Sequence, residues 1–370
     1  MNKINRLECL DILRSFSALG IVFYHYCIFF FTAQDFSAKL CCFSPLDFSE
    51  YSFIDFFKIF PLDMGKFFVA IFFLLSGFLI PYLIDHYPTR QAFLKNRFFR
   101  LWPIYAVGLL FNIMFVWGAC LYNQIPFPYS FNTLLASFLC LRDFLDYPFI
   151  TGVIWTFEVE VKFFLFCFII YPLLKKPSPQ KLLLLQIGLF FFCFNLASFL
   201  QESSEENLRL FNFFKVLSLD LRFFCFLFLG IFLSLFYEKK ITFKNWVIFS
   251  IALIVLFWIE TALIFKPERV FKYLVSYIPA WIIFVASTWP KEIQTIAQRQ
   301  STIFRFLADI SYPLYLIHAI PGYILIYILF DHGIPIFIGI LIAFILSIIF
   351  AVLLNNKIEK PVRAWSKVKS

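Results

Sequence analysis

The chain has 370 residues, 62% hydrophobic and 15% charged, with a formal net charge of +9. Apolar runs of about 20 residues recur from end to end, which excludes a soluble enzyme and predicts an all-α, polytopic helix bundle in a membrane. The charge does not make a nucleic-acid surface, because most of the basic residues fall in six short clusters on alternate loops, around Arg6, Arg97, Lys176, Lys240, Arg299 and Arg363, as positive-inside anchoring requires.

In chain order the runs read as ten spans, at 11–31, 66–84, 101–121, 152–174, 182–200, 213–236, 243–265, 270–289, 306–330 and 335–354. They make one membrane domain over residues 1–370 with no separate soluble domain and both termini in the cytoplasm. The first run follows a basic N-terminus but has no small-residue cleavage site and carries Arg14 and His25, so it reads as an uncleaved helix rather than a signal peptide. The opposite face carries the acidic stretch 32–65, with Asp35, Asp47, Glu50, Asp55 and Asp63, and the loop QESSEEN at 201–207. The apolar segment 131–141 is too short to cross, and counting it would turn Lys175 and Lys176 outward; it is expected to lie at the interface or re-enter. The 58 phenylalanines carry no functional signal. Nine cysteines without CxxC or Cys/His spacing suggest no metal site. Cys41 or Cys42 could pair with Cys120 or Cys140 in an oxidising compartment, and the sequence leaves the partner open.

Ionisable residues inside the apolar runs are the chemical signal. In DILRSFSALGIVFYH, residues 11–25, Arg14 and His25 differ by a net rotation of roughly 20°, and Asp11 and His25 by roughly −40°, so all three share one helix face. His25 lies about 16 Å along the axis from Arg14, deep in the bilayer. Each alone reads equally well as a snorkelling arginine or a packed histidine. Together, given about 2.5–3.5 kcal/mol for inserting an Asp or Arg at mid-membrane, they predict a lined cavity. WTFEVEVKFF at 155–164 adds Glu158, with Lys162 four residues on as an ion-pair candidate, and Glu160, with no local partner. ISYPLYLIH at 310–318 puts Ser311, Tyr315 and His318 on one stripe of a span that Pro313 is expected to kink. RFFR at 97–100 sets Arg97 and Arg100 one turn apart, a spacing that suits either phosphate or plain anchoring.

These residues resemble the acyltransferase family 3 membrane proteins. LDILRSFSALGIVFYH resembles the family's opening motif, FFLLSGFLI at 72–80 its second-span motif, and RFFRLWPIY at 97–105 its arginine segment. IWTFEVEVKFF is similar to its Trp-Ser-Leu-x-x-Glu segment, and ISYPLYLIH and IEKPVRAW to its closing motifs. The resemblance implies O-acylation of a bacterial surface carbohydrate such as O-antigen, lipopolysaccharide or exopolysaccharide, at the inner membrane. Cytoplasmic acyl-CoA, acetyl by default, would be the co-substrate, with no permanently bound cofactor and no metal. The acceptor would be a surface glycan or lipid-linked sugar. Carried to matching positions, it makes His25 the catalytic histidine, Asp11 and Arg14 its supporting pair, Glu160 the acid of span 4, and Arg97 and Arg100 the donor-binding arginines. Ser76, Trp155, Tyr315 and His318 are candidate substrate-binding residues in the matching segments. The chain departs from the pattern at Ile12, Glu158, Val161 and Lys162, and it is expected to lack the fused extracellular domain of some members. A histidine with a pKa near 6.5 suits removal of an alcohol proton at neutral pH, whether in a ternary complex or through an acylated enzyme. The rival expectation is a transporter or flippase, since intramembrane charges also mark transport pathways; a membrane protein with no chemistry would leave Arg14, His25 and Glu160 unexplained.

Overall fold

A computed structural model describes residues 8–48, 51–201, 207–288 and 301–368. Lys3, Arg6, Glu50, Lys291, Arg299, Lys369 and most of the 201–207 loop lie outside them. Every regular element among the described residues is helical: α1 (Glu8–Tyr24), α2 (Phe30–Thr32), α3 (Gln34–Cys41), α4 (Ser52–Ile59), α5 (Met64–Phe78), α6 (Ile80–His86), α7 (Arg90–Tyr122), α8 (Phe131–Phe138), α9 (Ile154–Ile169), α10 (Tyr171–Lys175), α11 (Pro179–Gln201), α12 (Leu208–Tyr237), α13 (Phe243–Ile264), α14 (Pro267–Thr288), α15 (Ser301–Ile317), α16 (Ala319–Asp331), α17 (Ile336–Leu354) and α18 (Lys360–Val368). Among the described residues, eight stretches are long and apolar enough to cross a membrane, and α15 with α16 makes a ninth if that pair, bent by 67°, is one span.

The expected span 152–174 is the one that changes. It is a 16-residue helix, α9, followed after a break at Ile170 by α10. Pro172 explains the break, because it has no N–H for the Phe168 carbonyl and its ring crowds that carbonyl. At about 1.5 Å per residue, α9 is about 24 Å long, short of a full hydrocarbon core. Segment 131–141 forms only the eight-residue α8 and does not cross by itself.

The centre of the bundle is α12, whose side chains from Leu221 to Leu235 are all buried, packed by α5, α11 and α13. Its contact with α5 depends on two glycines. A Cβ on Gly77 would sit 1.9 Å from the Leu227 carbonyl oxygen, and one on Gly230 2.3 Å from that of Leu74. Small residues let helix backbones approach this closely where no water drives association. The outer helices instead turn apolar side chains outward, such as Leu341, Ile345 and Ile349 on α17, as lipid contact requires.

Three of the irregularities in the described helices lie beside the candidate site. A π turn over His25–Phe29 separates α1 from α2, and a second over Asn355–Glu359 joins α17 to α18. The third is the bend between α15 and α16 at His318. Pro313 was the expected kink but sits inside α15 without breaking it. The break is instead explained by Pro321, which cannot donate to the Ile317 carbonyl four residues back. Side chains partner the carbonyls beside it: the Asn112 amide donates to the Leu316 oxygen at 3.0 Å and the Tyr26 hydroxyl to the His318 oxygen at 2.6 Å.

Candidate functional site

Two cavities enter the bundle near opposite ends of α1. The first is lined by Arg14 from α1, Ser76 from α5, Arg97 and Arg100 from α7, Glu160 from α9, Tyr312 and Tyr315 from α15, and Glu359 and Arg363 from the second π turn and α18. It adjoins a vestibule that shares Arg14, Arg100, Asp309 and Arg363 and adds Asp11 and Glu238. Four guanidinium groups thus surround one space. Arg97 donates to the Asn96 side chain at 2.7 Å and lies over the Phe164 ring, yet its buried Nε has no hydrogen-bond partner. Leaving such a donor unmade in a dry site is costly, so it is a ready contact for an anion. Glu160 accepts a hydrogen bond from the Ser76 hydroxyl, and Arg363 is ion-paired with Glu359.

The second cavity is lined by Tyr24 and His25, by Asp63, Lys66 and Val69 from the start of α5, and by Trp155, Tyr273, Tyr315 and Tyr323. Asp63 caps α5 by accepting from the Lys66 amide at 3.0 Å, and its carboxylate also pairs with the Lys66 ammonium. That ammonium lies 5.2 Å from the Tyr273 ring centroid. An aromatic, hydrogen-bonding lining of this kind suits the stacked face and hydroxyls of a sugar.

The two cavities meet at Val69 and Tyr315, which line both. The Tyr315 hydroxyl is 2.7 Å from Thr156 Oγ1 and 3.1 Å from the Val153 carbonyl, while its ring packs edge-on to Phe72. Tyr315 and Val69 therefore stand at the boundary between the arginine-lined space and the histidine-lined one.

The structure gathers Arg14, Ser76, Arg97, Arg100, Glu160 and Tyr315 around the first cavity, and His25, Trp155 and Tyr315 around the second. Asp11 lines the vestibule. His25 does not share a cavity with Arg14, although both lie on the first span. His318 is fully buried behind His25, with His25 Nδ1 2.6 Å from His318 Nε2. The expected Glu158–Lys162 pair does not form. Arg142 takes Glu158 through two bonds of 2.9 and 2.5 Å, and Lys162 pairs with Asp143 and Asp220. Glu158 and Glu160 are two residues apart and so project about 200° apart around the helix, one into this clamp and the other toward Ser76. All nine cysteines are free thiols.

The sequence pattern gave Glu359, Arg363, Asp309, Asp63 and Lys66 no part in the site, reading Arg363 as an anchor and Asp63 as one acid of the stretch 32–65. The i, i+4 acid–base pair in IEKPVRAW was a signal for the first two, and an aspartate three residues before Lys66 at a helix start was a signal for the last two. No curated protein and no solved structure matches the chain. The profile of the acyltransferase 3 family, described as an acyltransferase domain, matches residues 7–356. That match takes in every segment lining the second cavity and all of the first except Glu359 and Arg363, and the chain belongs to the acyltransferase 3 family of membrane proteins.

Proposed function

We propose that the protein moves an acyl group, acetyl by default, from cytoplasmic acyl-CoA to a sugar hydroxyl of a surface glycan or its lipid-linked precursor at the bacterial inner membrane. The observation that carries this reading is the pair of cavities, one rich in arginine and one holding His25, divided by Tyr315 and Val69. Arg97, Arg100, Arg14 and Arg363 match the phosphates of CoA, since guanidinium groups fork onto phosphate oxygens. The thioester end then lies toward Tyr315, and the glycan enters among Trp155, Tyr273 and Tyr24. His25 accepts the hydroxyl proton as the oxygen attacks the thioester carbonyl carbon; the C–S bond breaks and CoA leaves as the thiolate, to be protonated. Glu160 and Asp11 balance the arginine charge. Passage through an acyl-His25 intermediate differs: Nε2 displaces the CoA thiolate as nucleophile, and the acyl–nitrogen bond then breaks as the hydroxyl oxygen attacks, its proton passing to the thiolate.

The test is transfer of labelled acetyl from acetyl-CoA to lipid-linked saccharides from the host, catalysed by the full-length protein in lipid nanodiscs. His25→Ala is expected to lower transfer by at least about 10²-fold while the protein still accumulates in the membrane. A rate within about threefold of wild type would overturn the role of His25. Saccharide crossing the bilayer with no acetyl gained would replace the reading with a flippase.

A further inference from the structure

The bond between the two histidines has a direction. His318 Nδ1 lies 3.0 Å from the Leu314 carbonyl and 2.9 Å from that of Tyr315. Carbonyl oxygens only accept, so Nδ1 carries the proton, and neutral His318 presents a bare lone pair at Nε2. The partner at 2.6 Å is His25 Nδ1. It must therefore be the donor, which leaves the proton of a neutral His25 on Nδ1 and its Nε2 free. The two ring planes are inclined by 13°, with their centroids 4.8 Å apart. His25 borders the tyrosine-rich cavity whereas His318, 0% exposed, borders neither.

We infer that His318 is a positioning residue that fixes the His25 tautomer, holding the proton on Nδ1 so that Nε2 faces the acceptor hydroxyl as the base. This rests on the reading of His25 as the base. Each ring is held by an irregular backbone, His25 opening a π turn and His318 standing at the bend between α15 and α16. The Tyr26 hydroxyl, bonded to the His318 carbonyl and 2.7 Å from Ser347, braces that bend. The relay ends on two backbone carbonyls rather than on a carboxylate. When Nε2 takes a proton, the Nδ1–H bond to His318 strengthens without any second proton moving, so His318 orients and polarises but is never itself charged. A buried aspartate in this role needs compensation for its own charge in a membrane, and a neutral imidazole does not.

Only four histidines are present in the chain, so ring ¹⁵N NMR of the labelled, nanodisc-embedded protein can assign each one by single substitution. The expected wild-type spectrum has pyrrole-type Nδ1 and pyridine-type Nε2 for both His25 and His318. His318→Leu should give His25 a mixture of tautomers and lower kcat by at least about 10²-fold with KM for acetyl-CoA unchanged. His318→Gln, whose side-chain carbonyl can accept the Nδ1 proton, should restore the single tautomer and most of kcat. A His25 proton on Nε2 in the wild type, or full kcat in His318→Leu, would overturn the inference. If His318→Leu does not accumulate, the wild-type and His318→Gln spectra decide it. Loss of function in His25→Ala alongside an unchanged His318→Leu would overturn this inference and leave the acyl-transfer reading standing; an active His25→Ala would remove that reading while the tautomer remains readable by NMR.

Discussion

Glu158 and Glu160 should fail in different ways when changed, and Glu158 permits a quantitative forecast. Its carboxylate and the Arg142 guanidinium are 1% and 6% exposed and share two charge-assisted bonds. Arg142 otherwise has the Tyr147 carbonyl at 3.1 Å and the Phe149 ring 3.8 Å from its centroid. Glu158→Ala removes the countercharge and leaves a buried cation with one neutral acceptor and one ring face. Breaking such a pair costs about 3–5 kcal/mol, a factor of roughly 10² or more in the folded population. Removing both charges should be far milder, because a buried pair replaced by apolar residues of similar volume is often neutral. Unfolding of the full-length protein in nanodiscs can be followed with a thiol-reactive dye, since most of the nine free cysteines are buried until the fold opens. The expected order of midpoints is wild type, then Arg142→Leu with Glu158→Leu close behind, and Glu158→Ala several degrees lower, with acetyl transfer by the double variant retained. A Glu158→Ala midpoint equal to wild type, or a double variant no better than the single one, would refute the assignment of Glu158 to the clamp.

Arg100→Lys keeps the charge at the mouth of α7 but loses the fork, so the apparent affinity for acetyl-CoA should fall roughly 10-fold with acceptor dependence little changed; identical acetyl-CoA titrations at matched expression would return Arg100 to membrane anchoring. Reporter fusions after Ser37 and Glu206 should read outside, and fusions after Lys176 and at the C-terminus inside. An outside signal after Lys176 would mean that 131–141 and α9 either both cross or both fail to cross.

Much of the bundle was legible because lipid demands long apolar helices with internally satisfied backbones, and that demand writes itself into hydropathy. What escaped was local. Proline is ambiguous in one dimension: Pro313 rides inside α15, whereas Pro172 and Pro321 coincide with breaks, and only the packing around the freed carbonyls separates the cases. The π turns at His25 and Asn355 have no composition cue. Periodicity put Asp11, Arg14 and His25 on one face, but Tyr315 and Val69, contributed by other helices, divide the space along that face. Similarly, Lys162 at i+4 from Glu158 met the helix-pair rule, yet Asp143 and Asp220 from elsewhere in the chain took the lysine first.

The wall made by Tyr315 and Val69 also bears on the electrical integrity of the membrane. A bilayer holds back ions with about 30 Å of hydrocarbon, but the two cavities come together at Tyr315 and Val69, so the insulation is thinner there. On the proposed reading, the acyl group alone would pass this partition, with donor and glycan each staying on its own side. The same thinness makes the partition a point of dielectric weakness, at which a smaller residue would risk a path for protons. Tyrosine suits the position for this reason as much as for its hydroxyl: its flat ring, held by Thr156 and the Val153 carbonyl, fills the place where the two cavities meet.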